Sequence, residues 1–479
     1  MKQLSIIPIL VPLAGVLCLL AYCGQVRADD GGEVLDLHTC LEQAMVNHPD
    51  LEALRQQVEM KENERKSVRG HFLPVVKVEG KVLGFDDSFS LPVDLSGVTG
   101  ILDTLFESFG PLISDEVKEQ VAAFKEKGLA MELRDNVVYG VSATVAQPLG
   151  QLFTVYAGHS AAKAMAEAAR NDQEVLRKTI QGQVVEAYLG LLTAMRLEET
   201  VKAALAQLDA YEAQVEGYVT AELVERNALL KVRVAKADYQ RKAIAAANAR
   251  KLASAALNLY RGKALDTPFT PVEIQRLPRL DGMDDLTPQQ QGDKALALRP
   301  ELVSARHQRD AAHWGKMAAI GKMLPDLNLI ARYEYLHGAY GLQPEQEFFG
   351  GLVLSWDVWT WGSDYYHMRS YESLERKANA AIAAGEKKVR LELKAKALAM
   401  EKADQDTLVA DAEEEQAAEN LRIVELSYQA REATTTELLE AQTLVTKARN
   451  QQTIALHHRT RAALDLALAM GQDLLAVVK

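Results

Sequence analysis

His48-Pro49-Asp50-Leu51 followed by Gly70-His71-Phe72-Leu73-Pro74, and Arg299-Pro300-Glu301-Leu302 followed by Gly321-Lys322-Met323-Leu324-Pro325, are one pattern written twice. Pro49, Gly70 and Pro74 each recur 251 residues later. Farther along, Gly140 and Tyr218 recur 210 residues later as Gly350 and Tyr428. A fixed spacing of this kind marks a repeated supersecondary unit. The two spacings differ by 41 residues, so the first half carries an insertion between about residues 85 and 137.

Each half predicts the same order: a helix of about 30 residues, a strand, a loop, a strand, a very long helix, a turn and a returning helix. After Pro74, Val76, Val78 and Val82 alternate with Lys77, Glu79 and Lys81, the period of a strand with one apolar and one charged face. In the second half Leu327, Leu329, Ala331 and Tyr333 alternate with Asn328, Arg332 and Glu334, and Leu352, Leu354, Trp356 and Val358 alternate with Ser355 and Asp357. A soluble sheet packed on one face gives the same alternation. Two observations favour a membrane strand: Trp356, Trp359 and Trp361 cluster at one strand end, as an interfacial aromatic girdle requires, and the flanking helices offer no second layer of strands.

From Gly158 to Tyr218 the chain has no proline, about 90 Å of helix at 1.5 Å per residue. Leu176, Ile180, Val184, Tyr188, Leu191 and Met195 form a seam at spacings of three and four, as packing along another helix needs. The return run Glu225 to Tyr260 and the helix Gln289 to Ile320 together match that length, with the Pro-rich stretch Arg261 to Pro288 as an irregular belt between them. The predicted organisation is therefore a leader at 1–28; a first repeat at 29–260, with strands at about 75–84 and 137–149, an inserted loop at about 85–136 and a helical hairpin over 153–260; an equatorial segment at 261–288; and a second repeat at 289–479, with strands at about 326–336 and 348–359 and a hairpin over 363–470. The fold class is mainly α with transmembrane β, built on a duplicated helix-strand-strand-helix-helix unit.

Composition agrees. The 479 residues are 48% hydrophobic, 25% charged and 6% aromatic, with a formal charge of −12. That excludes disorder, and the missing basic face argues against nucleic acid as a partner. Lys2, the apolar run Ile6 to Ala21 and the ending Val26-Arg27-Ala28 read as a secretory signal peptide. A competing reading makes Cys23 an acylated lipoprotein cysteine, but bulky Tyr22 stands where a small residue is wanted. Cys40 is the one cysteine beyond the leader, so no disulfide framework or cysteine metal site is expected. No catalytic motif is found, no cofactor is expected, and the protein is not expected to be an enzyme.

The duplicated Leu73-Pro74 and Leu324-Pro325, together with Gln147-Pro148-Leu149, Leu229-Leu230-Lys231-Val232-Arg233-Val234 and Glu437-Leu438-Leu439-Glu440-Ala441-Gln442, resemble the TolC-type outer-membrane efflux and secretion channels over nearly all of the mature chain. The resemblance implies a homotrimer whose chains each give four strands to a twelve-stranded barrel continuous with a long periplasmic α-helical barrel. It implies a passive exit duct in the outer membrane, in contact with its lipid and extending into the periplasm. It also implies docking on a periplasmic adaptor (membrane fusion protein) and an inner-membrane pump of RND, ABC or MFS type, in tripartite efflux or type I secretion. The alternative is a periplasmic coiled-coil adaptor or structural protein, but adaptors normally carry one hairpin and not duplicated strand pairs.

By the same resemblance Glu437 and Glu440 match acidic rings at the periplasmic entrance, and Tyr428 matches a constriction aromatic. At spacing i, i+3 the two carboxylates share a helix face. The tip turns depart from the family: its glycines correspond to Ala221 and Arg431, and its arginine–aspartate lock to Ala433 and Asn227. Arg431 or Arg226 is left as a substitute cation, and a weaker charge lock is expected. The insertion, with an amphipathic stretch from Ile113 to Met131, is expected outside the cell as a lid or a longer loop.

Overall fold

The computed structural model describes residues 33–478 apart from 94–95, 110–112, 128, 275–287 and 341–343. The leader, Cys23 and Pro278 lie outside the described residues. In chain order the elements are β1 (Glu33–Leu35), α1 (Leu37–Asn47), α2 (Pro49–Gly70), β2 (Val75–Gly84), β3 (Phe89–Val93), α3 (Ser96–Phe109), α4 (Asp115–Lys127), β4 (Leu129–Pro148), α5 (Leu152–Thr220), α6 (Arg226–Tyr260), β5 (Phe269–Pro271), α7 (Pro288–Leu298), α8 (Pro300–Gly321), β6 (Asp326–Ala339), β7 (Gln346–Ser355), α9 (Ser363–Gln429), α10 (Thr435–Ala469) and α11 (Leu474–Val477).

The single 30-residue helix expected at the start of each half is two helices. The break falls at His48 and Arg299, each just before a proline and each in extended backbone, with ψ of 123° and 112°. Proline crowds the α region of the residue before it and then serves as the first residue of the next helix. The nitrogen Nδ1 of His48 accepts from the Asp50 backbone N–H at 3.3 Å, which caps α2.

Four strands form an antiparallel sheet in the order β2-β4-β6-β7, and β3 pairs with the distal part of β4. Register sorts the side chains. One face collects Val76, Val78 and Val82, then Val145, Ala143, Val141 and Tyr139, then Leu329, Ala331, Tyr333 and Tyr335, then Leu352 and Phe348. The opposite face collects Lys77, Glu79, Lys81, Ser142, Thr144, Arg332 and Glu334, where Lys81 reaches Glu334 at 2.9 Å and Arg332 reaches it at 3.2 Å. Among the described residues no layer covers the apolar face of the edge strands: Val82 is 75% exposed and Leu354 67%.

Three boundaries differ from the sequence reading. β7 stops at Ser355, where its partner strand begins at Asp326, so Trp356 to Thr360 have nothing to pair with. β6 runs on to Ala339 and β4 reaches back to Leu129. The inserted segment is therefore not a loop. It holds β3, α3, α4 and eight residues of β4, and the expected amphipathic stretch Ile113 to Met131 divides between α4 and that strand.

Below the sheet, α5 and α9 run 69 and 67 residues, about 100 Å each. Ile180, Val184, Tyr188 and Leu191 are buried with Leu176 and Met195 against them. They face an equatorial layer that includes part of the segment expected there as an irregular belt, with a strand pairing that the sequence pattern did not reveal. There β1 pairs in parallel with β5, Glu33 opposite Phe269, and α1 packs beside them. The Tyr188 hydroxyl lies 3.0 Å from the Leu35 carbonyl oxygen and accepts from the Val272 N–H at 3.0 Å. Arg261 is completely buried in this layer, donating to Glu33 at 2.6 Å, Gln43 at 2.8 Å and Asn258 at 2.9 Å. Cys40 is buried there too, and desolvation pushes its thiol up to about 12. A second cluster near the far end joins Leu208, Val215, Val232, Tyr428, Leu438 and Val445.

Candidate channel entrance and membrane band

The helix ends farthest from the sheet are closed by two five-residue turns. In the first, the N–H of Leu223 donates to the Tyr218 carbonyl at 2.8 Å and that of Glu222 to Val219 at 3.0 Å. In the second, Glu432 donates to Ser427 at 2.8 Å and Arg431 to Tyr428 at 3.1 Å. Both are Schellman closures, which need a left-handed residue just beyond the helix. That residue is Glu222, φ 57°, in the first turn and Arg431, φ 66°, in the second. The expected counterpart Ala221 has φ −81° and is the ordinary cap residue before it. Matched tip positions thus lie 209 residues apart, one fewer than the helices above them.

Glu437 and Glu440 part company in the structure. Thr434 caps α10, its hydroxyl accepting from the Glu437 N–H at 3.3 Å, while the Glu437 carboxylate accepts from the Thr434 N–H at 2.6 Å and hydroxyl at 2.9 Å. These bonds, the backbone one first, hold the Glu437 carboxyl below its ordinary value. This reciprocal capping box was legible in Thr434-Thr435-Thr436-Glu437 and was missed. Glu440 is exposed and lines a groove of about 780 Å³ between α6 and α10, together with Asn227, Leu230, Lys231, Val234 and Leu444.

Tyr428, expected at the constriction, is buried instead. Its hydroxyl lies 3.2 Å from that of Thr435, and its ring lies 6.2 Å from that of Tyr218. Ala433 packs partly buried against the same cluster. Among the described residues neither Arg226 nor Arg431 has a side-chain hydrogen bond or ion pair within the protomer. Other contacts join the two hairpins there: Lys231 donates to the Thr436 hydroxyl at 3.0 Å, and Glu425 accepts from Gln207 at 2.7 Å and from the Tyr211 hydroxyl. Burial, and then the Glu425 carboxylate, push the Tyr211 hydroxyl upward.

At the other end Trp356, Trp359 and Trp361 stand at the foot of β7, 56%, 74% and 87% exposed. Trp359 and Trp361 meet edge to face at 5.9 Å, and the Trp356 indole donates to the Met323 carbonyl at 3.1 Å. An apolar sheet face ended by exposed indoles is the profile of a strand crossing hydrocarbon with its rings at the interface. Among the described residues no helix is long and apolar enough to cross a membrane.

Comparisons agree with that geometry. Residues 292–472 match the family model "Outer membrane efflux protein". The fold is similar to CusC, whose crystal structures concern folding and transmembrane channel formation, at 14% identity and a TM-score of 0.73 over 91% of this chain and 92% of that one. It is similar to the outer membrane protein VceC of Vibrio cholerae at 16% identity and a TM-score of 0.71, over 91% and 96%. It is similar to the CmeC outer membrane channel of Campylobacter jejuni at 13% identity and a TM-score of 0.72, over 91% and 85%. No protein of curated function matches the sequence.

The fold is that of the outer-membrane channel structures it resembles. The family match covers the second repeat, residues 292–472, and the fold shared with these channel structures extends across the first repeat as well.

Proposed function

We propose that three copies of this chain form the passive exit duct of a tripartite efflux or type I secretion system, spanning the outer membrane and reaching through the periplasm to an adaptor and an inner-membrane pump. The sheet carries the reading: four strands with one apolar and one charged face, uncovered, and ended by two edge strands, β2 and β7, that have no outer partner among the described residues. A sheet in lipid must close on itself, and further copies close this one edge to edge. The helical layer is unfinished in the same way. α6 exposes Val234, Ile244, Leu252 and Leu259, and α9 exposes Leu391, Leu398, Leu408 and Leu426. Neighbouring copies cover these rows.

At the entrance, Glu440 is the carboxylate whose charge is not committed to a cap, and three copies raise a negative potential that favours cations. The groove between α6 and α10, with its apolar floor and its rim of Lys231, Glu440 and Lys447, suits the amphipathic helices of an adaptor. The test is reconstitution of the mature chain in planar bilayers, with its mass measured in detergent. A trimer giving cation-selective conductance that weakens in Glu440→Gln is expected. A monomer that stays soluble without detergent overturns the reading.

A further inference from the structure

Where α2 hands over to β2, at the foot of the membrane sheet, a cavity of about 700 Å³ is lined by Lys66, Arg69, Gly70, Phe72, Leu73 and His159. Its charge balance is unusual for this acidic chain. No Asp or Glu occurs from Arg65 to Val78, nor from Leu152 to Ala166 at the start of α5. Arg65 is answered by Glu62 at 2.9 Å. Among the described residues Arg69 and Lys163 have no ion-pair partner, and Lys66 reaches only the Asn63 amide oxygen at 3.4 Å. His159 is held below its ordinary value by burial and then by Arg65, Arg69 and Lys163, so these cations lie within electrostatic reach of its ring. Its Nε2 is buried without a hydrogen-bond partner. The C-terminal end of α2 and the N-terminal start of α5 meet at this level with opposite partial charges, which leaves the side chains to set the sign.

The cavity lies beside the apolar face of the sheet. Gln147, on the apolar side of β4, donates to the Phe72 carbonyl at 3.1 Å, placing the end of α2 beside the lipid-facing side chains. Lys163, Arg170, Arg177 and Val184 follow one another at seven-residue steps, a single line on a supercoiled helix, and Val184 lies under the equatorial layer. In the second half the positions matched to Lys66 and Arg69 are Met317 and Ile320, so that half carries no such pair of cations.

We propose that this cavity binds the phosphate headgroup of an anionic phospholipid from the periplasmic leaflet, with Lys66 and Arg69 on the phosphate and Phe72 and Leu73 under the first part of the acyl chains. The assignment rests on the outer-membrane reading and adds a ligand to it. Apolar floor, cationic rim and continuity with the lipid-facing sheet together select a lipid over a free anion.

The test is native mass spectrometry of the mature trimer from detergent, titrated with phosphatidylglycerol or phosphatidylcholine. One phosphatidylglycerol per protomer is expected, preferred on the order of tenfold. The preference disappears in Lys66→Gln with Arg69→Gln, survives in Lys66→Arg with Arg69→Lys, and in Phe72→Ala persists at weaker binding. Equal retention of the two lipids, or a preference unchanged by the Gln pair, overturns the proposal. So does displacement by millimolar inorganic phosphate, which identifies a free-anion site. Failure of the chain to enter lipid nanodiscs is a separate result, and it removes the membrane reading itself.

Discussion

Gly70 and Gly321 end matched helices in the two repeats and meet different surroundings. A Cβ on Gly321 lies 2.3 Å from the Thr154 hydroxyl oxygen and 3.1 Å from the Phe153 ring, whereas one on Gly70 meets nothing within 4 Å. The cause is position in the wall. Within the protomer α8 lies between α5 and α9, while α2 packs on α5 and has an open flank. Tyr188 and Leu398 differ for the same reason, the first buried under the equatorial layer and the second 55% exposed. Duplication copied the backbone plan, and the place of each copy in the layer then set what its side chains do.

The strongest test of that account is the uncovered rows. Leu252→Asp combined with Leu398→Asp should abolish the trimer in detergent, read as mass by light scattering, because each charge is buried against a neighbouring copy. An unchanged trimer breaks the claim that copies of this chain cover α6 and α9. Next, Gly321→Ala should cost about 1–3 kcal/mol by overpacking, while Gly70→Ala stays within about 1 kcal/mol of the parent. Thermal unfolding separates them, and equal losses would mean that the two positions are equally enclosed.

Tyr188→Phe removes a hydroxyl that serves the buried carbonyl of Leu35 and the part-buried backbone of Val272, and should cost about 1–3 kcal/mol with faster amide exchange in β1 and β5. A variant with unchanged exchange there would leave the equatorial layer held by Arg261 and apolar packing alone. At the tip, Glu222→Gly and Arg431→Gly each relieve a left-handed non-glycine residue and should stabilise the turns by at most about 1 kcal/mol, seen as slower local exchange.

The smallest effect concerns Glu437. Its folded carboxyl sits below the ordinary value of 4.5, so its cap is in place above that value and fades as pH falls through it toward the lowered one. Exchange at residues 434–437 should quicken below about pH 4.5, and Glu437→Gln should remove that acid dependence. A dependence that survives the substitution assigns it to another carboxylate.

Much of the architecture was readable because it rests on short-range periodicity. Period-two alternation in Val76 to Val82 and in Leu327 to Tyr333 marked strands with one apolar face, and the proline-free run ending at Tyr218 marked a long helix. The breaks before Pro49 and Pro300 were readable from local rules and were passed over, as was the capping box at Thr434. Other features lay beyond any window of sequence. The pairing of Glu33 with Phe269 joins segments 236 residues apart through backbone bonds that carry no side-chain signature. The burial of Tyr428 depends on the two hairpins meeting, and the one-residue shift that puts Glu222 in the left-handed position depends on where each helix ends.

By itself the sequence determined the duplication, the strand faces, the long helices and the family resemblance, because each follows from the spacing of apolar, charged and proline residues along the chain. Only the tertiary structure decided which of two matched residues is enclosed, which carboxylate at the tip is committed to a cap, and which cations are left unanswered at the foot of the sheet. Those outcomes turn on what packs against a residue, and in a repeated chain two residues with the same local sequence context can have different neighbours.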